Sequence, residues 1–215
     1  MFLIQNNSII FHILNHLNMH ESYRFITRHR GMSVDYSNYY YFTSAFTETE
    51  LALLTSLGEL TDKEKGSVTD QGKVTETRIS EVGWINPEEN SMWLYDKITT
   101  MVLEANDAMW NFDLLGFHDS LQYTTYYGGG GHYDWHTDVG PGMANRKISV
   151  VVQLTNPEEY TGGELNLNGG NGIITAPKEK NTVIIFPSFV LHRVTPVLTG
   201  TRKSLVTWVA GPPLR

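Results

Sequence analysis

Two kinds of hydrophobic spacing divide this chain. From Leu121 onward, apolar residues come in short runs broken by Gly, Pro and Asn, which predicts strands near 121–127, 132–137, 147–154, 164–167, 172–175, 182–186, 191–195 and 203–210. Upstream the spacing is helical. Thr47 and Glu50 have the spacing of a capping box, followed by Leu51, Leu54 and Leu57 as a buried stripe. Asn90 or Ser91 opens a second helix running to about Trp110, with Leu94, Ile98, Met101, Val102, Ala105 and Met109 on a face broad enough to lie on a sheet. Between the helices, residues 61–74 are polar and Gly-punctuated and read as a loop, while residues 76–85 alternate and read as a strand ending near Trp84. Many short strands after two helices predict an α+β protein with a mainly β core: a jelly roll, cupin-like, with the helices packed on one sheet.

The same pattern sets the expected organisation. One domain, 1–215, divides into an N-terminal extension (1–35), a helical and strand support region (36–120) and the jelly-roll core (121–215). In the extension, His12, His16 and His20 recur every four residues beside Ile9, Ile10, Ile13 and Leu17, which reads as the polar stripe of an amphipathic helix.

Composition narrows the classes this fold can serve. A net charge of −7, with Lys and Arg thinly spread, argues against a nucleic-acid partner. The absence of Cys removes disulfides, thiolate metal sites and a thiol nucleophile, and fits a reducing compartment. The first twenty residues lack a basic leader region, and no run reaches the ~18 apolar residues of a membrane helix, so a cytoplasmic protein without membrane contact is expected.

Candidate chemistry is concentrated in Tyr126–Val139, YYGGGGHYDWHTDV. On a strand, His136 and Asp138 would share a face. With His192 from the apolar C-terminal run they would form a 2-His-1-carboxylate set, which suits a divalent ion and leaves positions open for reaction partners. His132 and Asp134, on the same stretch, are not taken as ligands. Arg202, ten residues after His192, would point into an apolar barrel and require a permanent anionic partner, since guanidinium stays charged and binds carboxylate through two parallel hydrogen bonds.

These residues resemble the Fe(II)- and 2-oxoglutarate-dependent dioxygenases, specifically the prolyl 4-hydroxylase-like branch. The resemblance runs from roughly Phe42 to Arg215. It rests on Tyr127 nine residues before His136, the glycine run between them, His136-X-Asp138, Gly162-Gly163-Glu164, and His192 followed by Pro196, Gly200, Arg202 and Trp208. Arg202 stands where collagen-type enzymes carry Lys, as in bacterial and phage members. The resemblance implies a double-stranded β-helix with Fe(II) on His136, Asp138 and His192. It implies 2-oxoglutarate held by Arg202 with Tyr127 or Ser204 assisting, O2 as oxidant and ascorbate as reductant. Tyr133 and Trp208 match positions that line the peptide site, and residues 36–42 and 123–133 offer further aromatic walls. The glycine run reads either as a flexible turn or as backbone close to the substrate groove, and 139–146 as a mobile lid. The implied reaction is hydroxylation of a C–H bond, of a peptidyl proline at C4, within a protein or peptide partner. The alternatives are another protein residue, a small molecule, or a non-catalytic jelly-roll binding module. A nucleic-acid demethylase is disfavoured because Trp208 occupies the position of that branch's second arginine.

Overall fold

A computed structural model describes residues 39–70, 73–170 and 172–213. The extension 1–35 and its histidine repeat lie outside the described residues. In chain order the elements are β1 (Tyr40–Phe42), α1 (Glu48–Glu59), β2 (Glu64–Asp70), β3 (Lys73–Ile85), α2 (Met92–Met109), β4 (Gly116–Phe117), β5 (Leu121–Tyr127), β6 (Gly131–His136), β7 (Arg146–Gln153), a 3-10 turn (Pro157–Glu159), β8 (Tyr160–Gly162), β9 (Leu165–Asn168), β10 (Ile173–Thr175), β11 (Val183–Pro187) and β12 (Leu191–Ala210). No described helix is long and apolar enough to cross a membrane.

The major sheet has the order β1-β11-β7-β12-β5-β3-β2; the minor sheet pairs β9 with β10 and sets β6, β8 and β9 against β12, with β6 also on β3. All these pairings are antiparallel. This is the expected double-stranded β-helix, and β12 joins its two walls. The first half of β12 pairs with β6, β8 and β9, and the second half with β5 and β7. Two separate strands, 191–195 and 203–210, were expected here. The chain does not break between them because Gly200 carries it from one sheet to the other at φ 74°. A side chain there would also meet the carbonyl of Glu159, since an added Cβ would lie 2.0 Å from that oxygen.

The centre of the major sheet is buried on both faces, so β7 and β11 read as nearly continuous apolar runs. One face carries Leu121, Tyr123, Ile148, Val150, Val152, Val183, Ile185 and Leu205 into a core with Leu51 and Leu54 of α1 and Leu94, Ile98 and Val102 of α2. The other face carries Val151, Ile184 and Phe186 into the barrel, against Leu165, Leu167, Val194 and Val197 of the minor sheet. α1 begins with the predicted capping box: Thr47 Oγ1 accepts from the Glu50 N–H, and the Glu50 carboxylate accepts from Thr47 N–H at 2.7 Å. At α2 the cap differs from expectation. The Ser91 hydroxyl turns back to donate to the Asn86 carbonyl and accept from Glu88 N–H, leaving the helix N–H groups uncapped by it.

The loop expected at 61–74 is instead most of a hairpin. β2 runs antiparallel to β3, which extends the 76–85 strand back to Lys73. Polar composition suits an edge hairpin paired to the sheet through its backbone ladder. Tyr40 and Phe42 of β1 pack on the helix-side core, and Tyr123 is fully buried there with its hydroxyl on Glu59. These aromatics are therefore not groove walls.

Candidate metal centre and cavity

β6 ends at His136, so Asp138 lies just past the strand, where its N–H donates to the Ser188 carbonyl at 2.9 Å. His192, near the start of β12, sits opposite His136 in register. One ligand atom from each of His136, Asp138 and His192 lies within 4.8 Å of the others. The backbone fixes both tautomers: His136 Nδ1 donates to the Asp134 carbonyl at 2.7 Å and His192 Nδ1 to the Val190 carbonyl at 2.9 Å. A carbonyl can only accept, so each neutral ring presents the lone pair of Nε2. Those lone pairs face the carboxylate, His136 Nε2 at 3.8 Å and His192 Nε2 at 3.4 Å. Acceptors converging on acceptors call for a cation between them.

Electrostatics agree. Burial, and then the neighbouring His192, push His136 down to about 4, so it stays an unprotonated ligand through neutral pH. For Asp138, burial raises the pKa, but His192, His136, the Ser149 hydroxyl and the Trp208 indole outweigh it and hold the carboxyl below its ordinary value. Ser149 donates to Asp138 Oδ2 at 2.6 Å.

The three ligands line a cavity of about 350 Å³ inside the barrel. Arg202 reaches the same cavity from β12 and is 1% exposed. Its guanidinium donates to Gln153 Oε1 at 2.9 Å and Ser204 Oγ at 3.3 Å, lies over the Tyr126 ring, and keeps an unpartnered Nε. Among the described residues no carboxylate forms an ion pair with it; Glu164 pairs with Lys178 instead. Gly163 makes room for this arginine, because a Cβ there would lie 3.0 Å from Arg202 Cδ.

The remaining sequence-derived residues separate by strand parity. Ser204 and Trp208 share the inward face with Arg202, as expected. Tyr127 does not: it is half exposed on the opposite face of β5, and its hydroxyl donates to Glu81 at 2.7 Å. Its neighbour Tyr126 points inward in its place, with Gln122 two turns of the pleat away. Tyr133 stacks on the His136 ring at 3.5 Å between centroids, and burial raises its phenol to about 12. The glycine run does not border the cavity. Gly128, Gly129 and Gly130 donate to carbonyls of Gly200, Leu198 and Val197, so the close backbone approach is to β12. From the segment 139–146, Met143 and Arg146 reach the cavity; Arg146 pairs with Asp119 and lies 4.0 Å over the Trp208 ring.

Sequence reasoning missed Arg78, Gln122, Ser149 and Gln153. Arg78, 9% exposed, donates to Gln122 and Ser80 and lies 4.9 Å over Tyr133. The available signal was a polar residue at an inward position of an otherwise apolar strand, such as Ser149 and Gln153 within KISVVVQL.

Comparison with known proteins places this geometry. Residues 121–210 match the model of the 2OG-Fe(II) oxygenase superfamily. A PKHD-type hydroxylase of Colwellia psychrerythraea is 38% identical over 84 residues, covering 37% of this chain and 38% of that one. One from Acidovorax ebreus is 36% identical over 90 residues, 39% and 40% of the two chains. The matched stretch is thus about two fifths of these curated relatives. Among solved structures, a Trichoplax adhaerens prolyl hydroxylase, in complex with a hypoxia inducible factor oxygen degradation domain peptide fragment, superposes with TM-score 0.68 at 16% identity, covering 80% of this chain and 83% of that one. A viral collagen prolyl hydroxylase from Paramecium Bursaria Chlorella virus-1, in its 2OG complex, gives 0.60 at 23% identity, covering 84% and 100%. In sequence the core resembles the 2OG-Fe(II) oxygenase superfamily and PKHD-type hydroxylases, and its fold matches that of solved prolyl hydroxylases.

Proposed function

We propose that this chain is an Fe(II)- and 2-oxoglutarate-dependent dioxygenase that hydroxylates a C–H bond, with a peptidyl proline, oxidised at C4, as its prime substrate. One observation carries the reading. Three convergent metal-ligand atoms and a buried arginine without a carboxylate partner among the described residues face the same cavity. A jelly-roll binding module would require neither, and a buried unpaired cation is costly enough to need a function.

The donors fit a divalent iron. Two neutral imidazoles with their tautomers set by the backbone, and one ionised carboxylate, are the facial set of non-haem iron oxygenases. His136, Asp138 and His192 would hold the ion. Arg202, oriented by Gln153 and sharing Ser204, would hold the distal carboxylate of 2-oxoglutarate. Tyr127, on the outer face of β5, takes no part. Bound together, iron, 2-oxoglutarate and O2 supply the oxidation: 2-oxoglutarate leaves as succinate and CO2, and one oxygen atom enters the substrate C–H bond.

The protein's own contribution is position and exclusion of water. Val151, Phe186 and Val194 make the inner wall apolar, which strengthens each polar contact made within it. At the other side Tyr133, stacked on His136, and Trp208, covered by Arg146, form aromatic walls suited to a proline ring and its flanking peptide. The peptide complex of the Trichoplax enzyme, on the same fold, supports that choice.

The test is a single assay with purified protein, Fe(II), ascorbate, 2-oxoglutarate and a panel of proline-containing peptides. Succinate is measured beside the gain of one oxygen atom on the peptide. The expected result is both together, with the added oxygen on proline C4. Succinate without peptide oxidation rejects prolyl peptides and keeps the oxygenase; no succinate under any condition rejects the oxygenase.

A further inference from the structure

The cavity holds a second buried guanidinium, and Arg78 of β3 is built into the wall as Arg202 is. Arg202 is 1% exposed and Arg78 9%. Each donates to a serine two residues along its own strand, Arg202 to Ser204 Oγ at 3.3 Å and Arg78 to Ser80 Oγ at 2.8 Å. Each also donates to a glutamine on a neighbouring strand, Arg202 to Gln153 Oε1 at 2.9 Å and Arg78 to Gln122 Oε1 at 2.8 Å. A glycine makes room beside each. A Cβ at Gly163 would lie 3.0 Å from Arg202 Cδ, and one at Gly66 would lie 3.0 Å from Arg78 Nε. All four acceptors are neutral. Of the acids on β2 and β3 with described side chains, Glu64 accepts from the Trp84 indole and Glu81 from the Tyr127 hydroxyl. Among the described residues no ion pair joins Arg78 to a carboxylate. A buried cation with neutral neighbours is costly, so a second one in the same cavity calls for a second anion.

The two arginines stand at different places along the wall. Arg202 faces Tyr126 of β5 in register, whereas Gln122, which holds Arg78, faces Val206. At ~3.3 Å per residue these two anchor points are roughly 13 Å apart along β5. Arg78 is the register partner of Tyr133 and lies 4.9 Å over its ring, and Tyr133 stacks on His136. Trp84, 36% exposed, lines the same cavity. We propose that Arg78, held by Ser80 and Gln122, is a specificity-determining residue that binds a carboxylate of the prime substrate beside the carbon to be oxidised. This rests on the oxygenase reading above and narrows its substrate. The described hydrogen bonds occupy Nε and Nη2 of Arg78 and leave Nη1 for the incoming oxygen; Gln122, a neutral acceptor, yields to a charged one. The group is either an Asp or Glu side chain next to the target proline of a peptide, or the α-carboxylate of a free amino acid.

Mn(II) in place of Fe(II) allows 2-oxoglutarate to bind without turnover, and calorimetric titration reads that step first. No 2-oxoglutarate binding there sinks the oxygenase reading and this inference with it. The loaded protein is then titrated with proline peptides carrying Asp or Glu at each position near the proline, each paired with its Asn or Gln isostere. A separate arm compares free proline with prolinamide. At one peptide position, or in the free amino-acid arm, the acid is expected to bind about tenfold or more tighter than its amide. Arg78→Gln should erase that preference and leave the affinities for the amide and for 2-oxoglutarate within about threefold. Arg78→Lys, which keeps the charge without the fork, should retain part of the preference and serves if Arg78→Gln does not fold. A preference confined to free proline supports the carboxylate subsite and removes the peptide as its source. Equal binding of acid and amide in every arm overturns the proposal, and so does a preference that survives Arg78→Gln.

Discussion

Replacing Arg202 with Met separates the cost of a buried guanidinium from its use. The side chain is 1% exposed, has Gln153 and Ser204 as neutral acceptors, and lacks a carboxylate partner among the described residues. In the ligand-free protein two effects oppose each other. The two acceptors lose their donor, at about 1–3 kcal/mol for each that stays unsatisfied. Removing a desolvated, unpaired charge returns a comparable several kcal/mol. Met fills much of the same volume, so the melting temperature should move by no more than about 3 °C, roughly 1 kcal/mol for a body of this size.

Co-substrate binding has no such cancellation. Deleting one partner of a buried, hydrogen-bonded charge pair costs about 2–5 kcal/mol, or roughly 30-fold to several-thousand-fold in Kd. The assay is thermal unfolding with Mn(II), which prevents turnover, at 2-oxoglutarate concentrations near one hundred times the wild-type Kd. Wild-type protein should gain about 2.7 kcal/mol, which is roughly 5–11 °C. At 30-fold weaker affinity the same concentration contributes less than about 1 kcal/mol, so the variant should gain at most about 3 °C. An undiminished shift would place the co-substrate away from Arg202. A ligand-free variant melting about 10 °C lower would show that the arginine is a structural support rather than a retained cost.

Other outcomes follow from the same geometry. His136→Ala or Asp138→Ala should abolish stoichiometric binding of Fe(II), Mn(II) or Co(II) with an unchanged circular dichroism spectrum; unchanged metal affinity in both would remove the assignment. His136 is held near 4 in the folded state against about 6.5 unfolded, so below 6.5 the unfolded chain binds the extra proton. Metal-free protein should therefore lose stability as pH falls from about 6.5 to about 4, by up to about 3 kcal/mol, and His136→Ala should flatten that part of a denaturation-versus-pH curve. Gly200→Ala forces a Cβ to 2.0 Å from the Glu159 carbonyl at φ 74°, and should cost at least about 2 kcal/mol, read as a lower urea midpoint. Trp208→Ala should raise the KM for any peptide substrate, because the indole walls the cavity, and should weaken metal binding far less than His136→Ala or Asp138→Ala, because the indole bonds to Asp138 without being a proposed ligand.

Features that depend on spacing along one strand or helix are legible before any fold is known. The capping box at Thr47, the stripe of α2, most strands after Leu121, and the inward set Arg202, Ser204 and Trp208 follow from periods of 3.6 and 2. His136 and Asp138 were legible as a pair, and His192 and Arg202 through their offsets to Pro196, Gly200 and Trp208. Features that depend on how strands meet are legible only once the chain has folded. A strand's alternation does not say which parity faces the barrel, so Tyr127 and Tyr126 exchanged roles once β5 paired with β12. Backbone ladders carry no side-chain signature, which hid the β2–β3 hairpin in a polar stretch and the continuity of β12 through Gly200. Ser149, Ser188, Gln122, Gln153 and Arg78 arrive from strands and turns distant in the chain. The hydrogen bonds that give them meaning form across space, where spacing along the sequence has no purchase.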